Sequence, residues 1–364
     1  MEKIPFQESE LKVVKELPGR FGGKSIPLYD FPVSIRKAAY ELYMNKQGIW
    51  ESTDCEMGNF TPSVIPDNIA RGFIFEGGPK IPKEQYGGKD MFGVEWVYVD
   101  QVGGSMVKPG APLLEDANEW REKVIFPDID SWDWEGSAAQ NKEYLAQDKG
   151  LPITFLNGCW FERLISFMDF EGAAMALLDE DQIDAVKELT HELTSLYIRI
   201  AEKCFKYYDI DGVCIHDDWG SQMAPFFSDR VAREVYLPEM KRFNDYVHSQ
   251  GKYVDLHSCG HVEDRCGVFV DAGFDAWLPM RMNDTVALYE KYGDKIVIGV
   301  VYDKPFDPAT ATEEEQRAAA RDFADRFCAP GKPSAFPSMY NAKGLLTPAF
   351  REELYKQSRI NYAK

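Results

Sequence analysis

Past residue 150 the chain alternates between two patterns of apolar and polar positions. Short apolar runs at 152–156, 212–215, 253–256, 276–278, 296–300 and 334–336 have the length of buried strands. Between most of them lie stretches with an apolar residue every three or four positions, the repeat of one helix face. The longest, 184–208, has apolar residues at 186, 189, 193, 196, 197 and 200, and further helices are expected at 228–249, 262–272, 284–292, 312–328 and 347–361. Strands alternating with helices require a parallel sheet, because each crossover helix returns the chain to the same edge.

Residues 1–150 lack this regularity. A helix is expected at 36–43, a strand at 91–99 turned by Gly103 and Gly104, a connection at 125–130, and a helix from Glu143. No tandem repeat or low-complexity tract interrupts the chain. The expected organisation is an irregular extension or cap over 1–90, packed on an α/β domain over 91–364. A closed (β/α)8 TIM barrel accounts for that domain better than a doubly wound sheet. Chemically capable residues follow strand after strand, as at the mouth of such a barrel: His216-Asp217-Asp218, His257-Ser258-Cys259, Arg281 and Asn283, Asp303, and Tyr340-Asn341. A doubly wound sheet concentrates its chemistry at one switch point, and no Gly-x-Gly-x-x-Gly follows any strand.

His257 and Cys259, two residues apart at a strand end, share one face and present an imidazole and a thiol together. That pair selects zinc over hard cations, which prefer oxygen. Asp217 and Asp218 are adjacent carboxylates whose repulsion raises at least one pKa unless a cation lies close. A catalytic zinc takes about three protein ligands. The third position is open between Asp217 and Asp218, with His216 and His261 ranked below them. Cys266 is expected to point away along the next helix, and Cys328 to lie at the opposite end of the strands.

With 364 residues and 45% apolar content the chain can build a large core. Its net charge of −19, without Lys/Arg runs, argues against nucleic acid or anionic lipid as a partner. No apolar run approaches a membrane span, no secretory core follows Met1, and seven cysteines form no paired framework. A cytoplasmic location is the expectation.

The ordered set Asp217-Asp218-Trp219-Gly220-x-Gln222, Pro238 within a helix, and Leu256-His257-Ser258-Cys259-Gly260 resembles the uroporphyrinogen decarboxylase superfamily. Its corrinoid-dependent methyltransferase branch is the most similar. The resemblance spans roughly residues 91–362, including Phe92-Gly93-Val94 and Phe126-Pro127-Asp128, and implies a TIM barrel with its site at the C-terminal strand ends. It also implies zinc on His257 and Cys259. The thiol-methylating members add a later Cys after the last strand, and 337–341 contains none, which departs from their pattern.

The resemblance implies a methyltransferase (O-demethylase) that moves a methyl group from a small donor to the Co(I) of a corrinoid, or cobalamin, carried by a partner protein. An aromatic methyl ether fits as donor, with Trp160, Phe161, Trp219, Phe226, Phe227 and Trp277 available to stack an arene. His257 and Cys259 then hold zinc, and Asp218 or Asp217 completes the shell or acts as general acid. Gln222, Asn283, Tyr340, Arg281 and Asn341 orient the donor. The alternatives are tetrapyrrole decarboxylation and a barrel that merely binds a corrinoid or small ligand. For the decarboxylase, the arginine-bearing N-terminal segment is lacking; the Pro18-Gly19-Arg20-Phe21-Gly22-Gly23 stretch is a poor match.

Overall fold

The structure is a computed structural model that describes residues 3–18, 25–53, 55–101, 103–338 and 345–364. The strands in chain order are β1 (Val13–Leu17), β2 (Ile26–Tyr29), β3 (Gly88–Lys89), β4 (Glu95–Val99), β5 (Gly104–Val107), β6 (Pro152–Asn157), β7 (Gly212–His216), β8 (Tyr253–Ser258), β9 (Ala276–Pro279), β10 (Val297–Val300) and β11 (Phe336–Pro337). The chain divides into two compact units, each assembled from separate segments. One comprises Met1–Gly58, Asp148–Gly150 and Asp275–Lys364, the other Asn59–Gln147 and Leu151–Phe274.

In the second unit β6, β7 and β8 pair in parallel. Phe60 adds a parallel bridge to Ile153, with Thr154 N–H donating to the Phe60 carbonyl at 2.8 Å. A strand partner for β6 thus comes from the region whose pattern is irregular, where the paired segment is too short to show a period. The helix Ile183–Tyr207 buries all six expected apolar positions, from Val186 to Ile200. Its Tyr197 meets Phe155 of β6 edge-on at 6.0 Å, and Phe155 packs on Phe243 of the helix Leu237–Ser249 at 5.3 Å. The antiparallel sheet β3-β4-β5 belongs to the same unit.

In the first unit β10 pairs in parallel with β9 and with β11, and β1 pairs antiparallel with β2. Its core gathers Tyr29, Ile35, Ala38, Ile49, Trp50 and Tyr355, with Phe31 stacked on Trp50 at 4.5 Å. The buried Glu10 carboxylate accepts from Tyr355 Oη at 2.6 Å and Arg359 Nε at 2.8 Å, so its charge enters the core already paired. Among the described residues six strands, three in each unit, pair in parallel and alternate with helices as the pattern predicts. Among the described residues no helix is long and apolar enough to cross a membrane.

Four departures from the pattern have local causes. The helix Phe161–Ala176 goes unrecognised because it buries residues on several faces, from Phe161 and Leu164 to Phe167 and Ala176, and has no polar stripe; Asp169, at φ 58°, also breaks its regularity. The strand expected at 91–99 begins only at Glu95, since Asp90 Oδ1 accepts from Phe92 N and Val94 N and folds that stretch into a turn. The helix expected from Glu143 begins at Trp134, capped by Asp133. The helix expected at 228–249 contains a π-helical segment, Ala232–Tyr236, just before Pro238, whose ring offers no N–H to continue the ladder.

Glu51 of the first unit is buried, accepts the Cys328 S–H at 2.9 Å, and has its pKa pushed up to about 8 by burial and by the Glu56 charge. Between the unfolded value of about 4.3 and about 8 the folded chain keeps a proton that the unfolded chain has released. Stability attributable to Glu51 therefore falls as pH rises through this window, by a few kcal/mol in order of magnitude, and is level above it. Glu51→Gln is expected to remove this slope: its stability relative to wild type, measured by denaturant unfolding, should rise from pH 5 to pH 9. A difference independent of pH would count against a protonated Glu51.

Candidate metal centre

The register of β7 against β8 pairs Cys214 with Asp255 and His216 with His257. Val213 and Ile215 are fully buried on one face of β7. The period-two alternation therefore places His216 on the opposite face, beside His257, with ring centroids 4.8 Å apart. Asp217 N–H donates to the His257 carbonyl at 3.1 Å as the last rung, and the two chains then turn away into loops. These loops approach so closely that Gly260, at φ 97°, has no room for a side chain: a Cβ there would lie 2.2 Å from the Gly220 carbonyl oxygen.

This approach brings together the donor atoms of His216, Asp218, His257 and Cys259, all within 4.8 Å of one another. His257 Nε2 lies 3.2 Å from Cys259 Sγ, and Cys259 N–H donates to Asp218 Oδ1 at 2.6 Å. The sequence pattern ranks His216 below the carboxylates, yet register alone makes it a member. His261 lies outside the cluster, against the Met223 carbonyl at 3.3 Å and Glu263 at 3.5 Å. Cys266 and Cys328 are buried and are not members either.

Glu162, in the first turn of the helix Phe161–Ala176, has no counterpart in the sequence reading. Its Oε2 accepts from His216 Nδ1 at 3.2 Å and from Asp218 N–H at 3.1 Å. With Nδ1 so engaged, Nε2 is the His216 atom left for the cluster; it lies 3.9 Å from Asp218 Oδ1. Burial opposes the charge on His216, but the hydrogen bond and charge of Glu162, with Asp218, raise its pKa to about 9. Burial raises Glu162 in turn, and its bond to His216 more than reverses that, leaving it lowered. Asp218 is raised by burial and the Glu162 charge, and the Cys259 thiol by burial and Asp218. Acids whose pKa values are raised by burial and by crowded negative charge mark a site that favours a cation.

Asp217 serves another purpose. It is 1% exposed, and its carboxylate accepts from the backbone N–H groups of Trp160, Phe161 and Glu162 at 3.1–3.2 Å and from Trp219 Nε1 at 2.7 Å. Burial and the Glu162 charge raise its pKa against the pull of the Trp219, Glu162 and Phe161 donors. It caps the helix Phe161–Ala176 from across the fold, with both oxygens taken. Trp160 and Trp219 are likewise core residues: Trp160 donates to Thr194 Oγ1 at 3.1 Å, and Trp219 packs among Phe227, Tyr236 and Phe269. Gln222 is exposed in the loop after β7. Arg281 is exposed and Asn283 buried in the turn after β9, in the other unit, with the Asn283 amide bonded to the Met280 carbonyl. Tyr340 and Asn341, like the 19–23 stretch, lie outside the described residues.

No protein-family model matches the chain, and no curated protein matches it. Among solved structures, a methyltransferase from Methanosarcina mazei aligns over 90% of this chain and 98% of its own, with TM-score 0.55 and 14% identity, a likeness of fold. A xylose isomerase-like TIM barrel protein from Mycobacterium smegmatis in complex with magnesium aligns over 66% and 82% with TM-score 0.33 and 13% identity, too loosely to bear on the fold.

The different tasks of the paired aspartates are separable. Asp217→Asn replaces one acceptor oxygen by a donor facing N–H groups and is expected to destabilise the protein by about 3 kcal/mol. Asp218→Asn keeps an acceptor for Cys259 N–H and should stay within about 1 kcal/mol of wild type. Equilibrium unfolding measures both, and equal effects would contradict this division.

Proposed function

We propose that the chain is a zinc-dependent methyltransferase that moves a methyl group from a small methyl ether to the Co(I) of a corrinoid carried by a separate protein. The observation that carries the reading is the cluster His216, Asp218, His257 and Cys259 at neighbouring strand ends, in a chain that shares its fold with a methyltransferase over 90% of its length. The six parallel strands are read as part of a closed (β/α)8 barrel with this cluster at its mouth. The aromatic class of donor is supported by an accessible edge-on pair, Phe170 and half-buried Phe226, with centroids 4.9 Å apart.

The donor set fits zinc. A thiol and imidazoles select it over magnesium or calcium. Donors of a tetrahedral zinc lie about 3.3–3.8 Å apart, so a cluster spread over at most 4.8 Å needs only a small contraction. His257, Cys259 and Asp218 would hold the ion, leaving a fourth position open. Bound there, zinc supplies Lewis acidity toward the negative charge that develops on the ether oxygen.

The chain's own groups complete the chemistry. His216, held at Nδ1 by Glu162, presents Nε2 beside the cluster and delivers a proton to the departing oxygen. The C–O bond breaks with its electron pair on that oxygen, and the methyl carbon bonds to the Co(I) electron pair, so that the cobalt is formally oxidised to Co(III). Glu162 stabilises the imidazolium beforehand and keeps its tautomer. Asp217 seats the helix that carries Glu162.

The purified protein is expected to retain about one equivalent of zinc by elemental analysis, and His257→Ala and Cys259→Ser to retain less than about a tenth of it. Equal zinc in all three would remove the centre. With reduced corrinoid protein and a methoxyarene, methylcobamide absorbance should appear; its absence with every methyl ether tried would sink the methyltransferase reading. Glu162→Gln should slow its formation roughly 10- to 100-fold while zinc content holds.

A further inference from the structure

The helix Phe161–Ala176 is broken at Asp169, whose φ of 58° and ψ of 173° lie outside both the helical and the left-handed wells, in a region that is essentially glycine's. Among the described residues Lys46 is the other non-glycine residue with positive φ, and it sits at an ordinary left-handed helix end. Asp169 stands inside a helix, and among the described residues no hydrogen bond to its carboxylate offsets the strain. Backbone strain of this kind persists only where the surroundings hold it, and it gathers at clamps and switches.

Before the break the helix is anchored. Arg163 pairs with Asp67 and Asp90, Phe167 and Met168 are buried, and the Phe167 carbonyl accepts Leu114 N–H at 2.9 Å. Beyond it Ala173, Ala176 and Leu177 are buried again. The two residues that follow Asp169, Phe170 and Glu171, are exposed, and Gly172 comes next. A backbone change at Asp169 can be absorbed at Gly172 with both flanking segments left in place, because glycine takes up angles that other residues resist.

The contacts that hold this exposed turn are aromatic. Phe170 meets Phe226 edge-on at 4.9 Å and Phe161 at 6.3 Å. Phe226 belongs to the loop that begins at Asp217: its N–H donates to the Trp219 carbonyl at 2.8 Å, and Gly220 of the same loop abuts Gly260 beside Cys259. An edge-on aromatic contact and strain at one residue are of similar size and opposite sign. The contact holds the turn on Phe226, the strain works to release it, and the turn is poised between two conformations.

We infer that Phe170–Glu171 is a latch, pivoting at Asp169 and Gly172, that closes on Phe226 and steadies the loop carrying Asp218. In the open form Asp169 takes helical angles, the strain is relieved, and Phe170 leaves Phe226. The latch itself rests on the backbone and the aromatic contact; only its effect on metal retention rests on the function proposed above. Two substitutions bias it in opposite directions without touching the aromatic pair. Asp169→Gly accepts the strained angles and is a poorer helix former, which favours the closed form, whereas Asp169→Ala resists them and is a better helix former, which favours the open form. Fluorine NMR of the purified protein carrying 4-trifluoromethylphenylalanine at position 170 reads the two populations. Wild type is expected to show two exchanging environments, with the open-to-closed ratio roughly 5-fold lower in Asp169→Gly and roughly 5-fold higher in Asp169→Ala. Thermal melting confirms that both variants fold. Zinc release to a chromogenic chelator should follow the same order, slowest in Asp169→Gly and fastest in Asp169→Ala. One unexchanging signal in wild type and Asp169→Ala alike, or the same ratio in both variants, would overturn the latch, and shifted ratios with equal zinc-release rates would overturn its hold on the loop. Shifted ratios in a protein that binds no zinc would leave the latch standing and overturn the metal centre instead.

Discussion

An exchange of hydrogen bonds between the end of β7 and the first turn of the helix Phe161–Ala176 governs the candidate site. Asp217 gives its carboxylate to three N–H groups at the helix start, and that helix returns the Glu162 carboxylate to Asp218 N–H and His216. It resembles a capping box closed across more than fifty residues. The helix N-terminus, where N–H groups lack intrahelical partners and the dipole is positive, accounts for the buried charge of Asp217. Once this exchange is made, Asp218 and His216 have little freedom left.

The second constraint is steric. The loops after β7 and β8 meet at Gly220 and Gly260, too close for any Cβ at Gly260. That contact carries Cys259 to Asp218 and sets the spacing of the four donors. Glycine in Leu256-His257-Ser258-Cys259-Gly260 is therefore as much a part of the centre as the ligands proposed for it, because it lets two backbones touch.

Buried charge is handled throughout by pairing or by protonation. Arg359 neutralises Glu10, Arg163 takes two aspartates, and Glu51 keeps a proton beside Cys328. Glu56 accepts from Trp50 Nε1, Ser52 Oγ and the N–H groups of Thr53 and Cys55. The crowded acids around Cys259 depart from this economy. This departure occurs beside Glu162, where a bound cation would complete the balance that the chain leaves open.

The sequence by itself determined the six parallel strands, most of the helices between them, and the presentation of His257 with Cys259, since each depends on spacing within a few residues. It also exposed Asp217 and Asp218 as a pair in conflict. Which aspartate faces the cluster was decided by tertiary structure, because Asp217 is claimed by N–H donors more than fifty positions away. The same holds for Trp160 and Trp219, whose neighbours on other elements turn them into core, and for His216, whose place follows from the register of β7 on β8. Glu162 carries no local signature at all: an acid in a helix's first turn is ordinary in sequence. Only the identity of its distant partners makes it a clamp.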